Sequence, residues 1–140
     1  MVSYMADRFG IPQSVFDRFW LFRKQRSWWL LHKTAYLERC KRLKIARVGL
    51  RAFQKIGPYV KPSTRVVQVL GHHATKGTLE LHDDQVRRLF AGETIPFGEK
   101  LENGYVILSF KHHILGLGLL IDGKVRSQIP RKQIQSIGGL

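Results

Sequence analysis

GYVILSFKHHILGLGLLIDGKVRSQIP, residues Gly104 to Pro130, is the stretch whose reading decides the fold. Tyr105 to Phe110 is a short, nearly unbroken apolar and aromatic run, too short and too rich in β-formers for a helix, so it predicts a buried strand. Lys111, His112 and His113 interrupt it. From Ile114 to Ile121 a period of two follows. Leu115, Leu117, Leu119 and Ile121 fall on one face, and Ile114, Gly116, Gly118 and Leu120 on the other, which is partly stripped of side chains. Asp122-Gly123 supplies the positive φ angles of a two-residue hairpin turn. On the returning strand Lys124, Arg126 and Gln128 alternate with Val125, Ser127 and Ile129, and Pro130 ends it. Three consecutive strands are therefore expected, with a basic row on the last.

Outward from this stretch, the chain has 140 residues, 44% of them hydrophobic and 11% aromatic, enough for one domain or for two small subdomains sharing a core. No apolar run is long enough for a bilayer, and the start MVSYMADRFG lacks a signal-peptide core, so no membrane association and a cytoplasmic location are expected. The single cysteine, Cys40, excludes an intramolecular disulfide framework and a multi-cysteine zinc site. Charge is the informative quantity: 24 Lys and Arg against 10 Asp and Glu give a net of +14. That excess calls for a polyanionic partner, nucleic acid before an anionic membrane. It is uneven, with 13 basic and 3 acidic residues in Met1 to Val60 and 11 and 7 in the remainder.

Before the three strands, Pro12 opens a short helix ending near Phe19. Trp20-Leu21-Phe22 and Trp28 to Leu31 then flank the basic tip Arg23 to Ser27, which reads as a hairpin, with a continuous helix as the competing reading. Thr34 caps a helix with Leu37, Cys40 and Leu43 inward. Ile45 to Phe53 alternates as a strand that carries Arg47 and Arg51 on one side. Pro58 and Lys61-Pro62 form a rigid connector. Ser63 caps a helix with Val66, Val67 and Leu70 inward and Gly71 as its stop. Leu79 and Leu81 form a short strand, Asp83-Asp84 favour the start of the next helix, and Glu93 to Asn103 is a polar loop.

The order and spacing of Arg47-Val48-Gly49-Leu50-Arg51, Lys61-Pro62-Ser63, Leu79-Glu80-Leu81, Leu89-Phe90-Ala91-Gly92-Glu93, Gly104-Tyr105-Val106-Ile107, Leu115-Gly116-Leu117-Gly118 and Asp122-Gly123-Lys124-Val125 resemble one family. It is the C-terminal RNA-binding region, with its PUA-like domain, of the Sun-type RNA cytosine-5 methyltransferases of the RsmF kind. The resemblance spans about Phe9 to Ile134. It implies an α+β chain: a PUA-like mixed β pseudobarrel with short helices over residues 61–140, preceded by a small basic α/β subdomain over 1–60. It also implies binding of structured RNA. The family's catalytic domain is absent, so the expected role is non-catalytic: a free-standing module that serves a separate RNA methyltransferase or a ribosome-assembly factor. Where the family runs through a lysine and an aromatic before proline, this chain has Arg126-Ser127-Gln128-Ile129-Pro130, which keeps the basic character without the aromatic.

Other chemistries are set against simpler readings. Gly116-Leu117-Gly118 lacks the third glycine and following helix of a dinucleotide loop, so a close-packed strand is preferred. Adjacent histidines on extended backbone point to opposite sides, so His72-His73 and His112-His113 are read as solvated or phosphate-touching, and no metal or other cofactor is expected. Cys40 is a small core residue rather than a nucleophile, Asp83-Asp84 cap a helix, and the aromatics Trp20, Phe22, Trp28 and Trp29 are mainly core, with one tryptophan left for stacking. The expected partner is thus rRNA or tRNA, held by Arg47, Arg51, Lys61, Arg65, Lys111, Lys124, Arg126, Arg131 and Lys132. Arg23, Lys24 and Arg26 form an auxiliary patch. The alternative is a basic interaction or structural protein, ribosome-associated or DNA-binding.

Overall fold

The computed structural model describes residues 1–33, 49–98 and 100–137. The helix expected after Thr34, with Leu37, Cys40 and Leu43, lies outside the described residues, as do Arg47 and the first half of its strand.

Helix α1 (Val2–Phe9) buries Met5 and Phe9, one turn apart on the same face, and stops at Gly10, whose φ of 64° gives the left-handed C-terminal cap. Nothing in the sequence reading anticipated it. A 3-10 helix over Gln13–Arg18 stands where Pro12 predicts a short helix. The aromatic segment then forms the hairpin β1 (Phe19–Lys24) and β2 (Ser27–His32), its tip at Gln25-Arg26, and the helical alternative is rejected. Strands β3 (Leu50–Ile56) and β4 (Tyr59–Pro62) complete an antiparallel sheet of order β1-β2-β3-β4. Here one expectation is corrected: Lys61-Pro62 is the end of an edge strand, not a connector. Pro62 is tolerated because an edge strand has one hydrogen-bonding side to spare.

Ser63 caps helix α2 (Thr64–Leu70) as its sequence predicts, accepting the Val66 N–H at 3.0 Å. A second, mixed sheet follows, in the order β5-β7-β8-β9-β6, with β5 parallel to β7 and the remaining pairs antiparallel. Its members are β5 (Thr78–Glu80), β6 (Ile95–Pro96), β7 (Gly104–Phe110), β8 (His113–Ile121) and β9 (Lys124–Ser127). The three strands read from Gly104 onward are its centre. Two details differ: β6 sits inside the expected polar loop, pairing Ile95 with Val125, and β9 ends at Ser127 rather than Ile129. Ile95 is buried, which is what draws an otherwise polar segment onto the sheet. Helix α3 (Asp83–Phe90) begins at the predicted aspartates, and α4 (Arg131–Ile137), absent from the sequence reading, follows Pro130.

Both faces of the second sheet are buried, which is why β7 reads as an unbroken apolar run. Ile107 and Leu117 join a core built with Met5, Phe9, Phe53, Val66 and Leu70, whereas Val106, Leu108, Leu120 and Val125 join another with Leu79, Leu89 and Ile95. Helix α2 packs on both β3 and β8, tying the two sheets together. A bulge between Leu108 and Ser109 skips Leu115 in the pairing, so Ile114 turns to the first core together with Leu117. The chain is α+β, with a curled mixed sheet and short helices in a PUA-like pseudobarrel. No helix among the described residues is long and apolar enough to cross a membrane.

The β7–β8 turn places two non-glycine residues, Lys111 and His112, at φ of 47° and 63°. Glu80 opposes that strain by accepting the His112 N–H at 3.1 Å. Its bond from the Ser109 hydroxyl, first, and then that from the His112 amide hold the carboxyl below its usual range. A depressed carboxylate pKa stabilises the fold above the ordinary glutamate value, and that contribution is lost as pH falls through the lowered one. Glu80→Gln should therefore melt below the wild type at neutral pH, and the gap should close in acid; thermal melts across pH check it, and a pH-independent gap would refute the charge-based account.

Candidate functional site

Strand register brings the basic row of β9 beside an aromatic. Tyr105 pairs with Leu119 and Leu119 with Arg126, so the three share a face of the second sheet. Two residues further along, the same face enters the first core through Ile107 and Leu117. Towards the Asp122-Gly123 turn no comparable core forms over it among the described residues, and Ile121 stands 51% exposed.

Opposite this face runs β4. Its Lys61 is half-buried, with Nζ 5.8 Å from the centre of the Tyr105 ring and donating to Gln128 Oε1 at 2.8 Å. Gln128 is itself placed by its N–H bond to the Leu117 carbonyl, 2.8 Å. Burial, and then the positive charge of Arg126, lower the Lys61 pKa. Lys61 and the exposed Arg126 thus border the same Tyr105 face and flank a notch there, and among the described residues the side-chain ion pair that forms, Arg88–Glu93, lies elsewhere. A half-buried lysine with a second cation in electrostatic reach favours an anion. Arg51 extends the notch: with Lys61, Ser63 and Gln128 it lines a groove of about 210 Å³.

Next to the notch, α1, the β3–β4 hairpin and β7–β8 enclose a cleft of about 710 Å³, lined by Tyr4, Arg8, Tyr59, Glu102, Tyr105 and Leu119 among others. Arg8 is a clamp here, donating from Nε to the Tyr105 carbonyl at 2.7 Å and from Nη2 to the Glu102 carbonyl at 2.8 Å. Tyr4 packs edge-on against Phe9 at 6.0 Å, and burial pushes its phenol pKa up against the opposing pull of Arg8. Tyr59, at the hairpin tip, is 74% exposed.

Among the expected site residues, then, Arg51 and Lys61 share one groove, Arg126 lies on the Tyr105 face over which Lys61 stands, and Lys124 joins Arg126 along a shallow depression with Leu119 and Ile121. Arg23, Lys24 and Arg26 are exposed at the β1–β2 tip. The Lys55 N–H donates to the Arg26 carbonyl at 2.8 Å, so this patch sits at the same end of its sheet as the Gly57-Pro58 turn beside the cleft. Arg65 is exposed on α2, and Arg131 and Lys132 on the first turn of α4. Lys111 is not brought in: it lies at the other end of β7, about 20 Å away for seven residues of strand. Arg47 lies outside the described residues.

The tyrosines and Gln128 went unmarked in the sequence. Gly57-Pro58 was the available signal for Tyr59, since that dipeptide marks a turn and puts the next aromatic at its tip. The tryptophan expectation is refined: Trp28 packs on the first core, but Trp20 is 56% exposed, with Lys33 Nζ 4.6 Å above its ring. The histidine geometry is corrected, because His72 and His73 occupy a 3-10 turn with ring centres 4.0 Å apart rather than extended backbone. Among the described residues no three metal-binding side chains converge.

Residues 76–134 match the family model of the methyltransferase RsmF PUA domain. That segment contains β5 to β9, α3 and the start of α4, hence Tyr105, Lys124 and Arg126, while Arg51, Tyr59 and Lys61 precede it. A curated relative, the ribosomal RNA small subunit methyltransferase F of Psychromonas ingrahamii, is 24% identical over 140 aligned positions. The alignment takes in 96% of this chain and 28% of that protein, so the chain spans little more than a quarter of the relative's length.

Proposed function

We propose, from the premise that residues 76–134 are a PUA domain of the RsmF methyltransferase kind, that this chain is a non-catalytic module that binds structured RNA. The observation that carries the proposal is the notch at Tyr105, with Lys61 over its ring and Arg126 on the same sheet face. A phosphate between them relieves their repulsion and repays the desolvation of Lys61. Arg51 and Lys124 lengthen the track. Arg47, Arg65, Arg131 and Lys132 add to it, Arg23, Lys24 and Arg26 form the auxiliary patch, and Lys111 is a peripheral contact. The relative's name favours rRNA over tRNA, and the module would present that RNA in the cytoplasm to a separate methyltransferase or a ribosome-assembly factor. We keep a division into a basic subdomain, 1–60, and a PUA-like domain, 61–140, as the one nearest the change of sheet, which falls two residues later, after Pro62.

Contact with about six phosphates would weaken binding roughly a thousandfold between about 50 and 200 mM salt. Anisotropy titrations of an rRNA hairpin across that range test the proposal, and a flat dependence would overturn it. Equal affinity for the matched DNA duplex would point instead to a general basic module, since a reader of A-form shape and 2′-hydroxyls prefers RNA.

A further inference from the structure

The cleft beside the notch is deeper and more apolar than phosphate binding requires. Phe53 and Leu119 contribute apolar surface, Tyr4, Tyr59 and Tyr105 contribute rings, and about 710 Å³ lies within the range of about 300 to 1,000 Å³ typical of small-molecule sites. A paired stem cannot fill such a space, because its bases are stacked inside the helix and only their edges, the sugars and the phosphates reach a protein surface. Nor does the backbone suit the interior: Asp7 and Glu102 line the cleft and repel phosphate. What fits is a flat, uncharged, partly apolar group attached to a phosphate that can rest on Lys61 and Arg126. Tyr59, 74% exposed with Ile56 beside it at 49%, presents a ring at the entrance. Aromatic rings of this kind serve as stacking platforms for unpaired bases.

We infer that this cleft receives the base of a single unpaired nucleotide, with the adjoining phosphate on Lys61 and Arg126. The inference rests on the RNA-binding reading and adds to it that the module distinguishes an unpaired nucleotide from continuous duplex. Its occupant is RNA rather than a protein side chain on grounds of charge, because the cationic notch opens beside the cleft and the chain carries +14.

The test uses the full chain and two RNA hairpins, identical except that one carries a single bulged nucleotide and a two-nucleotide 3′ overhang, each unpaired position replaced in turn by 2-aminopurine. The bulged RNA should bind about tenfold more tightly, within the range expected for one stacked base, and 2-aminopurine fluorescence should change on binding at one of the replaced positions. Tyr59→Ala should bring the bulged hairpin down to the affinity of the paired one and abolish the fluorescence change. Because Tyr59 is exposed, its melting temperature should match the wild type. Equal affinity for the two hairpins without a fluorescence change overturns the inference, returns the cleft to a protein ligand and leaves RNA binding standing. A Tyr59→Ala variant that loses affinity equally for both hairpins also overturns it. Binding to neither hairpin would defeat the RNA-binding reading itself.

Discussion

The double variant Lys61→Glu/Arg126→Glu is expected to bind a structured rRNA hairpin at least about a hundredfold more weakly than the wild type, with the salt slope reduced by about two. Each cation replaced removes one phosphate contact, and each carboxylate introduced adds repulsion where attraction stood. The pair should exceed the effect of two exposed lysines elsewhere, because the half-buried Lys61 is poorly screened by solvent. Lys61 also bonds Gln128, so Lys61→Gln/Arg126→Gln serves as the charge-neutralised companion, and melting curves show whether either variant loses stability. The neutral variant should reduce the slope by the same amount with a smaller loss of affinity. Lys111→Glu, at the opposite end of β7, should change affinity by less than about fivefold on one screened surface contact. Unchanged affinity and slope in the double variant, with a native melt, would remove the notch from the binding site.

The largest effect on stability is expected from Gly116→Val, at about 3 kcal/mol, the upper part of the range for overpacking a closed core. A Cβ at residue 116 would lie 2.7 Å from Ile129 Cγ1 and 2.8 Å from Thr64 Cγ2. Neither neighbour can retreat easily. Thr64 is the first residue of α2 and Ile129 follows β9, both are buried, and the Thr64 hydroxyl reaches the Gln128 carbonyl. The clash therefore falls where the second sheet meets the helix that ties it to the first. Gly98→Ala is the matched control: nothing lies within 4 Å of its added Cβ, and its effect should stay within about 0.5 kcal/mol. Urea denaturation of the two variants separates them. A Gly116→Val protein as stable as the wild type would mean that the β8–α2 approach is looser than its geometry indicates.

Much of the fold was legible because its signals are local. Asp122-Gly123 takes φ of 49° and 74° and turns β8 into β9 as the dipeptide predicts. Ser63 and Asp83-Asp84 start helices through bonds and charges within one turn of themselves. Helices α1 and α4 were missed for the opposite reason: neither starts on a Ser, Thr, Asp or Asn cap, and their order comes from packing, Met5 and Phe9 in the first core and Ile134 against the second. Strand β6 is similar, two residues held by pairing with β9 and by burial of Ile95 in the second core.

For the candidate site the same distinction is sharper. Composition and alternation alone determined that the chain is basic and that Lys124 and Arg126 share a strand face, and the order of its motifs carried the resemblance to the RsmF kind. That Lys61 should stand over Tyr105 and bond Gln128, 67 positions away, was decided only by the tertiary structure. The physical reason is that a short-range pattern specifies which way a side chain points from its own strand, whereas the group it then meets depends on how two sheets dock. That docking is set here by α2, wedged between β3 and β8 with Val66, Val67 and Leu70 in the shared core.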